Sequence, residues 1–180
     1  MGWVLKAHDR FWNDIAVYGD YLPWNVHKAM GGDRTNWPEH NGLILDLKGN
    51  SAHAVAHFKE MIEPELSQNV VIVTVPSHDP AKVGGGLAML SAALAAGGSR
   101  IDGSACLVRT RKIAKLAHGG DRSKDVHLNS IAVAHAELIV GRSVFLIDDV
   151  TKSGNSLAAC RELLLKAGAA VVVCATIGKT

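Results

Sequence analysis

From residue 68 onward the chain alternates short, nearly unbroken apolar runs with segments of helical spacing, and this alternation constrains the fold more than any other feature. VVIVTV at residues 70–75, ACLVR at 105–109, VFLI at 144–147 and AVVVCATI at 170–177 are apolar or β-branched at almost every position. A strand with one wetted face alternates apolar and polar residues, whereas a strand that is apolar throughout is buried on both faces. A parallel sheet covered by helices is the arrangement that buries it. Helical patterns at 87–96 and 157–167 supply the cover. The expected fold class is therefore α/β, a parallel sheet flanked by helices, with right-handed crossovers.

The first 67 residues read differently. They hold all four tryptophans (Trp3, Trp12, Trp24, Trp37), both tyrosines and turn-rich stretches such as MGGDRTNWPEHNG. The expectation is a small irregular N-terminal hood with one strand at 43–48 (LILDLK) and one helix at about 52–66, attached to a core over 68–180. A chain of 180 residues suits one compact domain holding both parts. With 48% hydrophobic and 20% charged residues it has the composition of a soluble globular protein, and no apolar run approaches the ~20 residues that span a bilayer. The start, MGWVLKAHDR, lacks the apolar segment of a signal peptide, so a cytoplasmic location is expected. Cys106, Cys160 and Cys174 are scattered and lack CxxC spacing, so they read as core residues rather than a disulfide or zinc framework.

In sheets of this kind ligands bind beyond the carboxyl ends of the strands. Three segments leave such ends: PSHDPAKVGGG from residue 76, a long polar stretch over about 110–130, and DDVTKSGNS from residue 148. The last is the most informative. Asp148 and Asp149 follow a run that should be buried, where adjacent like charges raise each other's pKa and destabilise the fold unless a cation or hydroxyl donors compensate. Carboxylates accept hydrogen bonds from vicinal hydroxyls, as on a ribose, and hold Mg²⁺ directly or through water. Thr151, Ser153 and Ser156 add hydroxyls, and Gly154 permits a tight turn. A helix follows with Leu157, Cys160, Leu164 and Ala167 on one face and Gly168 as its stop. N–H groups at such a helix start bind phosphate. The pattern points to a sugar gripped by its hydroxyls and its phosphate together.

VFLIDDVTKSGNSL resembles the phosphoribosyl-pyrophosphate (PRPP) fingerprint of type I phosphoribosyltransferases, and LILDLKGN, VTVPSHDP, RTRKIAKLAHGGDRSKDVHLNSI and GAAVVVCATIGKT follow the order of the competence-associated ComF-like branch. The resemblance implies the type I phosphoribosyltransferase fold and transfer of 5-phosphoribosyl from PRPP to a nitrogenous base, with release of pyrophosphate. It implies that Asp148 and Asp149 contact the ribose hydroxyls and hold Mg²⁺ through them or through water. The segment Val150, Thr151, Lys152, Ser153, Gly154, Asn155 and Ser156 would wrap the 5′-phosphate. Pro76, Ser77, His78, Asp79, Lys82 and Arg109 would face the pyrophosphate. The basic 110–130 segment would close over PRPP, with Arg122 and Lys124 joining the two aspartates in catalysis. Pairing into a homodimer is common in the family. Two departures stand out: Lys152 takes a place where the family usually has Thr, and the Lys82 and Gly84–Gly86 pattern lies later in its loop than the usual Arg or Lys followed by Gly-Gly.

Other readings of the same residues exist. An apolar strand ending in DD also occurs in P-loop proteins, but no Walker A loop accompanies it, and the terminal IGKT lacks the upstream Gly. The triple glycine suits a plain loop-to-helix turn as well as a ligand. The basic segment is compatible with a solvated face or a nucleic-acid contact, which the net charge of +2 does not favour. His53 and His57 have metal-ligand spacing but no third ligand. Lys48 resembles a Lys of the ComF-like N-terminal region and otherwise reads as a solvated strand end. A non-catalytic PRPP or nucleotide sensor, or a DNA-uptake accessory protein, would use the same phosphosugar site.

Overall fold

The computed structural model describes residues 4–6, 8–113 and 123–180. Among them the strands are β1 (Phe11–Trp12), β2 (Ile15–Val17), β3 (Val71–Thr74), β4 (Ile101–Asp102), β5 (Leu107–Arg109), β6 (Ile131–Val133), β7 (Ser143–Thr151) and β8 (Val171–Lys179). The α-helices are α1 (Trp24–Ala29), α2 (Glu39–Lys48), α3 (Ala52–Ile62), α4 (Gly86–Ala95), α5 (Lys124–Leu128) and α6 (Asn155–Lys166). Six strands form one sheet in the order β1-β2-β8-β7-β3-β4, parallel throughout except for the β1–β2 hairpin. The chain is thus an α/β protein with a mostly parallel, helix-flanked sheet.

Side-chain alternation along the buried strands divides the core in two. Ile72, Phe145, Ile147, Ala175 and Ile177 meet Ile44, Leu47, Phe58, Ile62, Leu90 and Leu94 of α2, α3 and α4 on one face. Val71, Val73, Val144, Leu146, Val172 and Cys174 meet Leu157, Cys160 and Leu164 of α6, with Leu107 and Ile131, on the other. Both faces are dry, which explains the unbroken apolar runs in the sequence. All three cysteines are buried and unpaired.

Three expectations are corrected. LILDLK is the second half of helix α2, not a strand: Leu43, Ile44 and Leu47 are buried while Leu45 and Asp46 are exposed, a helical spacing that mimics strand alternation over six residues. Its boundaries were legible, because Pro38 precedes it, Gly49 caps it and Asn50 follows in the left-handed conformation (φ 65°). The 105–109 run gives β5, but β5 pairs antiparallel with β6 in a separate two-stranded sheet rather than entering the parallel one. The third correction concerns β7, which runs on through both aspartates to Thr151 instead of ending before them. Sequence reasoning also passed over the β1–β2 hairpin, whose Asn13-Asp14 turn takes positive φ at both residues, a strong hairpin signal.

The triple glycine is largely architectural. Gly84 and Gly85 take positive φ, and a Cβ on Gly86 would lie 1.8 Å from the Leu47 carbonyl oxygen. The start of α4 therefore abuts the end of α2 with no room for a side chain. No helix among the described residues is long and apolar enough to cross a membrane. Gly86→Ala should cost about 3 kcal/mol, because backbone must move, against about 1 kcal/mol for Gly84→Ala, whose position is open and only strained. Guanidinium unfolding of both variants checks this, and equal losses would remove the close-approach argument.

Candidate functional site

The sheet has a topological switch point between β3 and β7. From β3 the chain proceeds outward to β4, and from β7 outward to β8 on the opposite side, so the loops after β3 and β7 diverge from neighbouring strand ends. Such divergence opens the crevice in which α/β sheets bind ligands. The Val75 N–H donates to the Ile147 carbonyl at 3.0 Å, so the first loop leaves beside Asp148.

The two aspartates face different neighbours, as successive strand residues must. Asp148 is buried at 9% exposure, and its carboxylate accepts from the Ser156 hydroxyl at 3.1 Å and the Asp149 N–H at 2.9 Å. Burial, and then the charge of Asp149, push its pKa up to about 7 against the smaller downward pull of the Ser156 hydroxyl. Asp149 lies 3.5 Å from the Lys48 ammonium at the end of α2. That distance exceeds the 2.7–2.9 Å of a tight charge-assisted bond, and both side chains keep partial exposure, 29% and 39%. Lys48 therefore pairs with Asp149 and more weakly favours the charge of Asp148 without sealing the pair inward, and its ammonium also lies 5.5 Å from the Tyr21 ring centroid. Lys48 is the member of this cluster that sequence reasoning left outside the site, because it read as a solvated strand end; in the structure it is the last residue of α2.

Beyond the aspartates the backbone turns sharply. Gly154 is left-handed (φ 75°) and buried, and its N–H donates to Thr151 Oγ1 at 3.0 Å, so this amide is satisfied within the loop. A Cβ here would lie 3.0 Å from Ile15 Cδ1 and 3.3 Å from the Trp12 ring, so the β1–β2 hairpin braces the turn. Helix α6 then starts at Asn155 with no side-chain cap. Helix geometry gives the Ser156 and Leu157 N–H groups no intrahelical acceptor, and an anion can serve them instead. Thr151 is buried, its carbonyl accepting from the Thr180 N–H at 3.0 Å, while Val150 is half-buried against the core. Lys152 and Ser153 are exposed at the loop tip, and Asn155 is half-buried.

The loop after β3 is tied from below. Arg109, at 7% exposure, donates to the carbonyls of Ser77 at 2.9 Å and Pro76 at 3.3 Å, and to Ser130 Oγ at 2.7 Å. The Ile113 N–H donates to the His78 carbonyl at 3.0 Å. Asp79 pairs with Lys112 at 2.9 Å, which holds its carboxyl below the usual range. Lys82 is exposed. The structure thus brings Pro76, Ser77, His78, Asp79 and Arg109 together in and under the loop that leaves β3 beside the Asp148 end of β7. Lys124 stands apart: it pairs with Glu162 on α6 at 2.6 Å, and with Lys166 it lowers that carboxyl to about 2. Arg122 lies outside the described residues, as does Lys115.

Among the described residues no group of three or more His, Cys, Asp or Glu side chains is placed to hold a metal ion. A divalent cation would find two carboxylates here and take its remaining oxygens from ligand or water, which is the usual Mg²⁺ arrangement. No family model matches the chain, and no curated protein matches it.

The buried acid has a pH consequence. The folded protein holds the Asp148 proton more tightly than the unfolded chain, so ionising it costs stability. The cost is absent below about pH 4 and complete above about pH 7. In chelator-containing buffer Asp148→Asn should be more stable than the unsubstituted protein by about 1 kcal/mol or more at pH 8, with the gap closing by pH 4. Urea unfolding at both pH values checks this, and a gap that stays constant refutes the assignment.

Proposed function

We propose that this chain binds PRPP together with Mg²⁺ at the β3/β7 crevice, has the type I phosphoribosyltransferase fold, and transfers the 5-phosphoribosyl group to a nitrogenous base with release of pyrophosphate. The observation that carries this reading is one continuous unit: a buried carboxylate and a half-buried one at the end of β7, a left-handed glycine turn, and an uncapped helix start. An acid pair alone suits many cations, and a helix start alone suits many anions. Their separation by a single short turn suits a ligand with a diol at one end and a phosphate at the other.

The residues divide the work. Asp148 and Asp149 accept hydrogen bonds from the ribose 2′- and 3′-hydroxyls, which gives the isolated Asp148 charge the donors it lacks. The Ser156 and Leu157 N–H groups, with the hydroxyl of Ser153, receive the 5′-phosphate, and the α6 dipole adds to that attraction. Mg²⁺, held by the carboxylate pair and ligand oxygens, would neutralise charge on the departing pyrophosphate. As the glycosidic bond breaks, the ribosyl centre develops oxocarbenium character, and the carboxylates beneath it favour that positive charge. Fixing the sugar at both ends orients its anomeric carbon toward the incoming base.

A specific observation favours a second reading, a sensor that binds without turnover. Among the described residues, three cations near this region are engaged with the protein, Arg109 with Pro76, Ser77 and Ser130, Lys112 with Asp79, and Lys124 with Glu162, while Lys82 is exposed. The two readings share the site and differ in chemistry.

Calorimetry with PRPP and Mg²⁺ should show binding, and Gly154→Val should weaken it by about 100-fold, since the side chain would meet Ile15 and Trp12 and spoil the cradle's hydrogen bonds. Unchanged affinity would defeat the cradle. Release of pyrophosphate with any of a panel of purine and pyrimidine bases, lost in Asp149→Asn, identifies an enzyme; binding with no release across the panel identifies a sensor.

A further inference from the structure

Arg109 stands in a place that charge alone does not explain. A guanidinium meant to meet pyrophosphate should reach the crevice, yet this one is almost wholly buried and spends donors on two consecutive main-chain carbonyls, those of Pro76 and Ser77. The next carbonyl, of His78, accepts from Ile113, four residues beyond Arg109. Three successive carbonyl oxygens are therefore all drawn toward the same segment, the one that continues β5. No described peptide bond is cis. In a trans peptide the C=O of one residue and the N–H of the next point in opposite directions. Drawing the carbonyls of residues 76 and 77 to one side consequently turns the N–H groups of Ser77 and His78 to the other, while the Asp79 N–H donates to Ser77 Oγ at 3.4 Å.

The side matters. Strand β5 packs with the cluster of the α6 face, whereas Lys48 and the start of α4 belong to the elements of the opposite face. Successive N–H groups aimed to one side of a loop form a concavity that binds anions. We propose that Arg109 is a positioning residue: by gathering the Pro76 and Ser77 carbonyls, with Ile113 holding that of His78, it shapes the loop after β3 into a main-chain nest for the pyrophosphate arm of the ligand. Ser130 completes the device, since its hydroxyl fixes one guanidinium nitrogen at 2.7 Å while itself donating to the Val126 carbonyl at 2.6 Å. This inference rests on the phosphosugar reading above and reassigns Arg109 within it, from contact with the ligand to control of the backbone that makes contact.

The experiment uses the full chain and three probes in calorimetry: inorganic pyrophosphate with Mg²⁺, ribose 5-phosphate, and PRPP with Mg²⁺. Arg109→Met should weaken pyrophosphate by about tenfold, the loss of one or two charge-assisted bonds' worth of ordering, and leave ribose 5-phosphate within about twofold. Arg109→Gln keeps an uncharged donor for a carbonyl and should recover part of the lost pyrophosphate affinity. Equal losses in the Met and Gln variants would mean that the charge itself binds, and would overturn the proposal. So would pyrophosphate affinity that survives Arg109→Met. If the Met variant does not fold, Ser130→Ala carries the test: it frees the guanidinium without touching the loop and should weaken pyrophosphate by about threefold while sparing ribose 5-phosphate. Hydrogen exchange gives an independent readout, with the amides of residues 77 and 78 becoming protected on adding pyrophosphate. A protein that binds ribose 5-phosphate but neither pyrophosphate nor PRPP more tightly loses the nest and keeps the phosphosugar site; one that binds none of the three loses both.

Discussion

A carboxylate held almost out of water, with no ion pair of its own among the described residues, is the constraint on which the site depends. Asp148 sits on β7 between Ile147, which is fully buried, and the turn into α6, and among the described residues the Ser156 hydroxyl and the Asp149 amide serve it. A chain under selection for stability alone would place Asn, Thr or Val here. The unpaired charge is a local penalty, and penalties of this kind cluster where a ligand later supplies the missing partners. Asp149 shows the contrast within one residue: it is more exposed, moderated by Lys48, and so costs less.

The elements around the pair hold it in place by close packing rather than by polar contacts. Gly154 can turn left-handed beneath Trp12 and Ile15 only because it has no side chain, and Gly86 can meet the Leu47 carbonyl for the same reason. The first contact fixes the start of α6 against the hairpin edge of the sheet. The second fixes the end of α2, and therefore Lys48, against the start of α4. Two glycines thus set the positions of the positive end of α6 and of Lys48, which reaches the acid pair. Neither contributes a functional group.

Much of this was legible in the sequence, and the failures have physical causes. The buried strands announced themselves because a parallel sheet dry on both faces requires unbroken apolar runs, and DDVTKSGNS stood out because two charges cannot end such a run without a reason. LILDLK misled because six residues cannot separate a period of 2.0 from one of 3.6 when leucine fills both faces; the Pro38 and Asn50 boundaries carried the missing information. The β1 and β2 strands are two and three residues long, too short for any periodicity to register. Arg109 was recognised as important on charge, but its task depends on which carbonyls lie beneath it, and that is a property of tertiary packing between loops 32 and 33 residues apart.

The loop after β3 is where sensor and enzyme diverge in physical terms. A binding protein needs only enough donors to hold a phosphosugar; a transferase must in addition stabilise charge that grows on the departing pyrophosphate, and interactions equal in ground and transition states do not accelerate it. Side-chain cations engaged with Asp79, Glu162 and buried carbonyls are poorly placed to strengthen as that charge develops. Main-chain N–H groups held rigid from behind are better suited, because a preorganised dipole responds to new charge without first breaking another bond. On that argument the buried guanidinium of Arg109 does not count against catalysis. A cation withdrawn from the ligand can still serve it by fixing the peptide planes that face it.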